Sequence, residues 1–150
     1  MDWVRRQRPK TDRIACPGLI GRFIDPDATI NYVPPSEVLE QAQRLGGASL
    51  DAPGAGYPHT GTGEEQRCTF EVLIDRHQLG GNPALAELAR IVHAADTSGA
   101  LDSHRLAAGL PAIGGGGLDA ESDDQVLLAR GSFVYDELYA HCLKQAQQPS

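Results

Sequence analysis

The sequence has few cysteines and no long apolar run, and both absences exclude classes of protein. Its three cysteines are Cys16, Cys68 and Cys142. An odd number without Cys-x-x-Cys spacing argues against a disulfide framework or a standard zinc finger. No segment approaches the roughly 20 apolar residues of a membrane span, and no apolar run follows the N-terminal arginines as in a secretory signal. We therefore expect a cytoplasmic protein of the bacterial type, in a reducing compartment and without membrane association.

An excess of positive charge is also lacking. The chain carries 13 Lys and Arg against 20 Asp and Glu, which gives a net charge of −7. Nucleic-acid binding depends on basic side chains that neutralise phosphates, so we do not expect this domain alone to bind nucleic acid. The hydrophobic fraction of 41% and the charged fraction of 22% are ordinary for a globular protein. A chain of 150 residues is long enough for one domain with a buried core.

The hydrophobic patterns predict a helix-rich α+β fold: a single domain, residues 1–150, with a small sheet of two or three short strands. Strands are expected near 3–8, 28–33 and 48–51, and helices over 37–45, 68–77 and 83–96. A last helix is expected to begin within the acidic stretch 119–124 and to run to about 144. A helix between 13 and 24 would be short or bent, because proline and glycine interrupt its pattern. We predict a break in the last helix at Gly131-Ser132. We also predict a flexible linker at Gly114–Gly117 and a disordered tail at 145–150.

The predicted pair of helices over 68–96 carries the main functional candidate. Asp96 falls on the apolar stripe of the second helix, where a carboxylate is costly unless it is paired or metal-bound. His93 and Asp96 are three residues apart and can converge, Glu71 can reach them from the first helix, and His59 lies in the long preceding loop. Imidazole and carboxylate ligands suit Zn, Fe or Mn. The alternative is a buried salt-bridge cluster that holds the two helices together.

A second candidate site surrounds Cys16. Arg13 and Arg22 flank this cysteine in sequence, and a helix N-terminus with positive neighbours lowers the pKa of a thiol and makes it reactive. The alternative is a buried cysteine that packs as a small hydrophobe. Cys68 and Asp136 are weaker candidates, which could contact the metal ligands without binding the metal. For Asp136, a solvated carboxylate is the competing interpretation.

Four segments of the sequence resemble a known family in their order and spacing. They are RPKTDRIACPGLIGRFIDPDA near the N-terminus, RCTFEVL after a histidine, IVHAAD, and SFVYDELYAHC near the end. Together they resemble the chromate resistance protein family, specifically the C-terminal domain of the chromate-sensing regulator, which also occurs alone. The resemblance covers about residues 3 to 143. The family pattern places a histidine, a Cys-x-x-Glu/Asp step and a His-x-x-Asp step at the positions of the proposed metal ligands.

The resemblance implies a role in chromate resistance or in the response to chromate stress. The family usually has Trp-Leu-Ile-Arg-Arg after its cysteine-proline pair, whereas this chain has Gly18-Leu19-Ile20-Gly21-Arg22. This chain therefore lacks the first of the two arginines with which the family could form an anion pocket, and it keeps Arg13 and Arg22. The Gly114–Gly117 run also replaces a segment that is a more regular helix in the family.

Three hypotheses follow from the residues and the resemblance together. In the first, the domain binds a metal through His59, Glu71, His93 and Asp96 and assists chromate resistance, with redox or hydrolytic chemistry left unassigned. In the second, it is a non-enzymatic module that senses chromate or another small oxyanion through Arg13, Cys16 and Arg22. In the third, the polar cluster is structural and the surface binds another protein. The apolar last helix could also form a homodimer.

Overall fold

The fold is a helix-rich α+β domain, as the sequence predicts. A computed structural model describes residues 1–51, 54–58, 60, 66–97 and 99–148. The strands are β1 (Asp2–Arg6), β2 (Thr29–Val33) and β3 (Ala48–Ser49). The α-helices are α1 (Asp12–Leu19), α2 (Val38–Leu45), α3 (Thr69–Arg76), α4 (Pro83–Asp96), α5 (Leu110–Ala120) and α6 (Asp124–Gln147). A π-helix, Ile20–Ile24, extends α1, and short 3₁₀ turns cover Pro35–Glu37, Leu101–Ser103 and Arg105–Ala107.

The three strands are parallel and have the order β2-β1-β3. Trp3 pairs with Ile30 on one side and with Ala48 on the other. Parallel neighbours require crossover connections, which α1 and α2 supply. From the central strand β1 the chain passes through α1 to the edge strand β2. From β2 it passes through α2 to the opposite edge strand, β3. The carboxyl ends of β1 and β3 therefore lie side by side at a point where open α/β sheets commonly carry polar sites.

The core lies between the sheet and the helices. Its largest fully buried apolar side chains include Phe70, Ile20, Leu73, Leu85 and Ile91. The long helix α6 contacts both α1 and α4, so it closes one side of the core. Among the described residues, no helix has the length and apolar character that would let it cross a membrane.

The helix pair at the centre of the chain forms where the sequence places it. Asn82 caps α4, and its side chain accepts hydrogen bonds from the backbone N–H groups of Ala84 and Leu85. Pro83 occupies the first turn, where a missing N–H costs no intrahelical bond. These local signals explain why the bounds of α3 and α4 follow from the sequence.

The structure differs from the predictions at three glycine-rich or terminal segments. Gly114–Gly117, predicted to be a flexible linker, lies inside α5. The predicted break at Gly131-Ser132 is wrong, because α6 is continuous there. Residues 145–147, predicted as part of a disordered tail, continue α6. At the two glycine-containing segments, packing of α5 and α6 against other elements outweighs the low helix propensity of glycine. Residues 145–147 are exposed, and they extend α6 because glutamine and alanine are good helix formers.

Candidate metal centre

Three chemically different side chains converge where α3 meets α4. Cys68, Glu71 and His93 each offer a metal-binding atom, and these atoms all lie within 4.8 Å of one another. We call these residues the Cys-Glu-His cluster. Cys68 is the residue before α3, Glu71 lies in its first turn, and His93 lies in the last turn of α4. The helix contact that packs the apolar faces together therefore also brings the three donors together.

Hydrogen bonds fix Glu71 within the cluster. Its Oε1 accepts from the Cys68 backbone N–H at 3.1 Å and lies 2.5 Å from His93 Nδ1. The Cys68 sulfur in turn accepts from the Glu71 backbone N–H, which completes a capping box. Arg67 approaches the other carboxylate oxygen at 4.0 Å and pairs with Asp75 at 2.7 Å. The glutamate is thus oriented toward both the thiol and the imidazole.

The thiol of Cys68 is buried, whereas Glu71 and His93 are partly exposed. Burial raises the pKa of Cys68, and the nearby Asp12 adds to the shift, while the hydrogen bond from the Glu71 backbone opposes it. A bound cation would favour the thiolate instead, because metal coordination deprotonates a thiol. The partial exposure of the other two donors leaves the cluster accessible from solvent.

The predicted ligands fall into three groups in the structure. Glu71 and His93 belong to the cluster, and Cys68 joins them as a third donor. Asp96 lies nearby at the end of α4, close enough for its charge to contribute to the raised pKa of Cys68. His59 lies outside the described residues, although Thr60, the next residue in the chain, pairs with Arg67. The sequence could have shown the part played by Cys68, since a cysteine is an uncommon helix cap.

The structure places the three residues of the predicted oxyanion site in different surroundings. Arg13 contacts the backbone carbonyls of Gln7 and Arg8. Arg22 pairs with Asp136 at 3.1 Å and lies over the ring of Tyr139. Asp136, predicted to be near the metal ligands or solvated, is therefore engaged in a half-exposed ion pair.

Cys16 is fully buried rather than poised at the surface. Its thiol donates a hydrogen bond to Asp12 at 3.0 Å. Burial and the charge of Asp12 raise the pKa of Cys16, and Arg5 only partly offsets them. The sequence argument expected a lowered pKa, and on this point it is wrong, because the flanking arginines in sequence do not contact the thiol.

A buried ionic network lies beside Cys16, and no pattern in the sequence predicts it. Arg5 is completely buried at the end of β1 and donates to Asp12 at 2.6 Å and to Asp51 at 3.1 Å. Arg6 reaches the same Asp51 oxygen at 2.7 Å. The network joins the carboxyl ends of β1 and β3 to the N-terminus of α1. Pairs between residues this far apart in sequence leave no local pattern to detect.

Comparison with known proteins agrees with the sequence resemblance. A family model described as "ChrB, C-terminal domain" matches residues 3–142. Protein ChrB of Cupriavidus metallidurans (strain ATCC 43123 / DSM 2839 / NBRC 102507 / CH34) is 34% identical over 141 residues, which are 93% of this chain and 40% of that relative. The chain thus spans less than half the length of that relative. No solved structure gives a significant match. Since the family model covers nearly the whole chain, the chain belongs to the ChrB C-terminal domain family, the chromate resistance family that its sequence resembles.

Proposed function

We propose that this domain binds a divalent transition metal through Cys68, Glu71 and His93, and that metal binding underlies its part in chromate resistance. The observation that carries the proposal is the convergence of a thiol, a carboxylate and an imidazole within 4.8 Å. These are the three side-chain types that most often bind zinc and iron in proteins.

A purely structural cluster would not need the thiol. A second His–Glu pair in the same protein shows the simpler arrangement: His104 Nε2 lies 2.6 Å from Glu87, and His104 Nδ1 accepts from the Leu106 backbone N–H. That pair links two segments, and among the described residues no third metal-binding side chain joins it in the way that Cys68 joins Glu71 and His93. In the Cys-Glu-His cluster, by contrast, the helix cap is a cysteine, although Ser, Thr, Asp and Asn cap helices better. The choice of cysteine favours a metal ligand.

The donor set narrows the choice of metal. The sequence alone suggested Zn, Fe or Mn, but a thiolate ligand favours Zn or Fe over the harder Mn²⁺. Three protein ligands leave one position of a tetrahedral ion open for a fourth protein ligand, water or an exogenous molecule. When bound there, a zinc ion would act as a Lewis acid, whereas iron would also support electron transfer.

Metal analysis of single-residue variants tests the proposal. The full chain is purified without chelator and reconstituted with Zn, Fe or Mn in turn, and the bound metal is measured by elemental analysis. We expect about one metal per wild-type chain. Cys68→Ser, Glu71→Gln and His93→Gln should each weaken binding by at least about tenfold, since even supporting residues around a metal matter this much. His59→Gln and Asp96→Asn, measured in parallel, decide whether either residue is a fourth ligand.

His104→Gln is the matched control, because it removes the imidazole of the other His–Glu pair. It should leave the metal content unchanged. If wild type binds no metal under any of the three conditions, or if His104→Gln and His93→Gln behave alike, the proposal is wrong and the cluster is structural. Chromate tolerance of a bacterial strain that carries each variant then tests the second part of the proposal, that metal binding underlies chromate resistance. Loss of tolerance should follow loss of metal.

A further inference from the structure

A cavity of about 220 Å³ lies between α1, α5 and α6. It shares no residue with the Cys-Glu-His cluster. Its walls are mainly apolar, with Ile14 from α1, Leu110 from α5 and Val134 from α6. An engineered apolar cavity of about 150 Å³ is enough to hold benzene. The cavity is therefore large enough for a one-ring or small two-ring molecule.

Glycines form part of the cavity wall and keep it open. Gly114 and Gly117 line it from one face of α5, and Gly131 lines it from α6. A β-carbon at Gly131 would lie 2.7 Å from Ile14, and one at Gly114 would lie 2.8 Å from Lys10. Side chains at these positions would push the three elements apart. Because glycine has no side chain, these positions present only backbone to the cavity.

One end of the cavity carries two buried hydroxyl groups. Thr11 is 5% exposed and Tyr135 is 8% exposed, and both line the cavity. Thr11 also has a positive φ of 50°, which is uncommon for a β-branched residue and is found at binding sites more often than elsewhere. Burial raises the pKa of Tyr135, and the negative charges of Asp12 and Asp96 add to the shift. An anion at this end would be repelled, whereas a neutral polar group could hydrogen-bond.

We propose that this cavity binds a small neutral aromatic molecule that carries a hydroxyl or N–H group, with its ring against the α5 glycines and its polar group at Thr11 and Tyr135. The rim fits this assignment. Arg130 and Glu121 both line the cavity and pair with each other at 3.5 Å, so the charged groups neutralise one another there. Occupancy of the site would tie α5 to α6 and α1 and stabilise the helical half of the domain.

Calorimetric titration of the full chain with phenol, indole and toluene tests the proposal. All three should bind wild type. Gly117→Leu, which places a side chain in the cavity, should weaken binding of all three by at least about tenfold, because filling the cavity removes the space that the ring occupies. Tyr135→Phe should weaken phenol by about fivefold, the worth of one hydrogen bond, and leave toluene unweakened. Gly115→Ala is the matched control on α5, because a β-carbon at Gly115 would have nothing within 4 Å.

Three outcomes would overturn the proposal. The first is no binding of any probe to folded wild type. The second is equal binding to wild type and Gly117→Leu, with both folded by thermal melting. In the third, sedimentation shows a dimer that Gly117→Leu dissociates and the probes do not, in which case a side chain of a second copy fills the cavity. The exposed Phe133 on α6, 64% accessible, would be the first residue to examine.

Discussion

The surroundings of Cys16 show that residues close together in the sequence need not be in contact in the structure. Arg13 and Arg22 flank Cys16 in the sequence, yet Arg13 faces the loop after β1 and Arg22 pairs with Asp136. The charge that acts most strongly on the Cys16 thiol belongs to Asp12, one helical turn away. A thiol that donates to a carboxylate in a dry site is held protonated. Cys16 therefore has the environment of a structural cysteine rather than of a reactive one.

We expect Cys16 to react slowly with thiol reagents in the folded protein. The thiolate is the reactive form, and each unit by which the pKa rises lowers its fraction about tenfold near neutral pH. Alkylation of Cys16 by iodoacetamide, followed by peptide mass spectrometry, should be at least about tenfold slower than in a short peptide. Unfolding in guanidinium should restore the peptide rate. Fast labelling of the folded protein, or protection by chromate, would instead support the oxyanion-sensing hypothesis.

Among the elements, α5 shows tertiary packing overriding local propensity. Four consecutive glycines are among the poorest helix formers, since each costs about 1 kcal/mol relative to alanine. All four nevertheless lie within the helix α5, which runs from Leu110 to Ala120. A β-carbon at Gly114 would lie 2.8 Å from Lys10, and one at Gly117 would lie 3.4 Å from Leu127. A β-carbon at Gly115 or Gly116 would have nothing within 4 Å, so nothing in the packing requires glycine at these two positions.

Alanine substitutions along α5 should therefore have opposite effects. Gly115→Ala and Gly116→Ala should each raise the free energy of unfolding by about 0.5–1 kcal/mol, because alanine restricts the unfolded chain and suits the helix. Gly114→Ala should lower it by about 1–3 kcal/mol, because its β-carbon would lie 2.8 Å from Lys10. Urea unfolding of the three variants measures all the differences. If Gly115→Ala and Gly116→Ala destabilise the protein instead, these positions need glycine for a reason that packing does not supply.

The same contrast explains which parts of the fold and site the sequence could predict. The bounds of α3 and α4 depend on local signals, such as the Asn82 cap and the period of apolar residues, and these are readable in one sequence. The convergence of Cys68 with Glu71 and His93 depends on how two helices pack, which no local pattern encodes. The resemblance to a family supplied part of that set. Cys68 belongs to the family's Cys-x-x-Glu step and is an uncommon helix cap, so the sequence contained a sign of its part, whereas the Arg5 network became visible only in three dimensions.

At the scale of the whole molecule, buried polar groups are concentrated where the sheet meets α1 and α6. Arg5 and Asp12 lie at the centre of this region, and the two tyrosines next to them are Tyr32 and Tyr135. The Tyr32 hydroxyl donates to the Arg13 backbone carbonyl at 2.7 Å, and Tyr135 of α6 is buried and lines the same cavity as Thr11. Burial raises the pKa of both Tyr32 and Tyr135 well above the usual 10.0. Both tyrosines are therefore accommodated in the folded protein as neutral groups, and Tyr32 can donate its hydrogen bond only while it remains protonated.

This arrangement predicts a loss of stability in alkaline solution. A raised pKa in the folded state means that, above pH 10, the unfolded chain releases tyrosine protons that the folded chain retains. The stability that the two neutral tyrosines provide is therefore complete below about pH 10 and declines as pH rises further. The decline should be at most about 1.4 kcal/mol per pH unit for each tyrosine. Urea unfolding between pH 8 and pH 11 should show it, after correction for the other groups that titrate there.

Tyr32→Phe and Tyr135→Phe separate the two contributions. Each variant lacks one titrating hydroxyl, so its stability should fall less steeply with pH than that of wild type, whatever its stability at neutral pH. Tyr139→Phe serves as the comparison, since the Tyr139 hydroxyl accepts a hydrogen bond from Asn82 at the opposite end of α4 from Asp96. Equal pH slopes for wild type and both test variants would mean that the hydroxyls ionise in the folded state. The region between the sheet, α1 and α6 would then be open to water, and the assignment of the neighbouring cavity to a neutral ligand would lose its electrostatic basis.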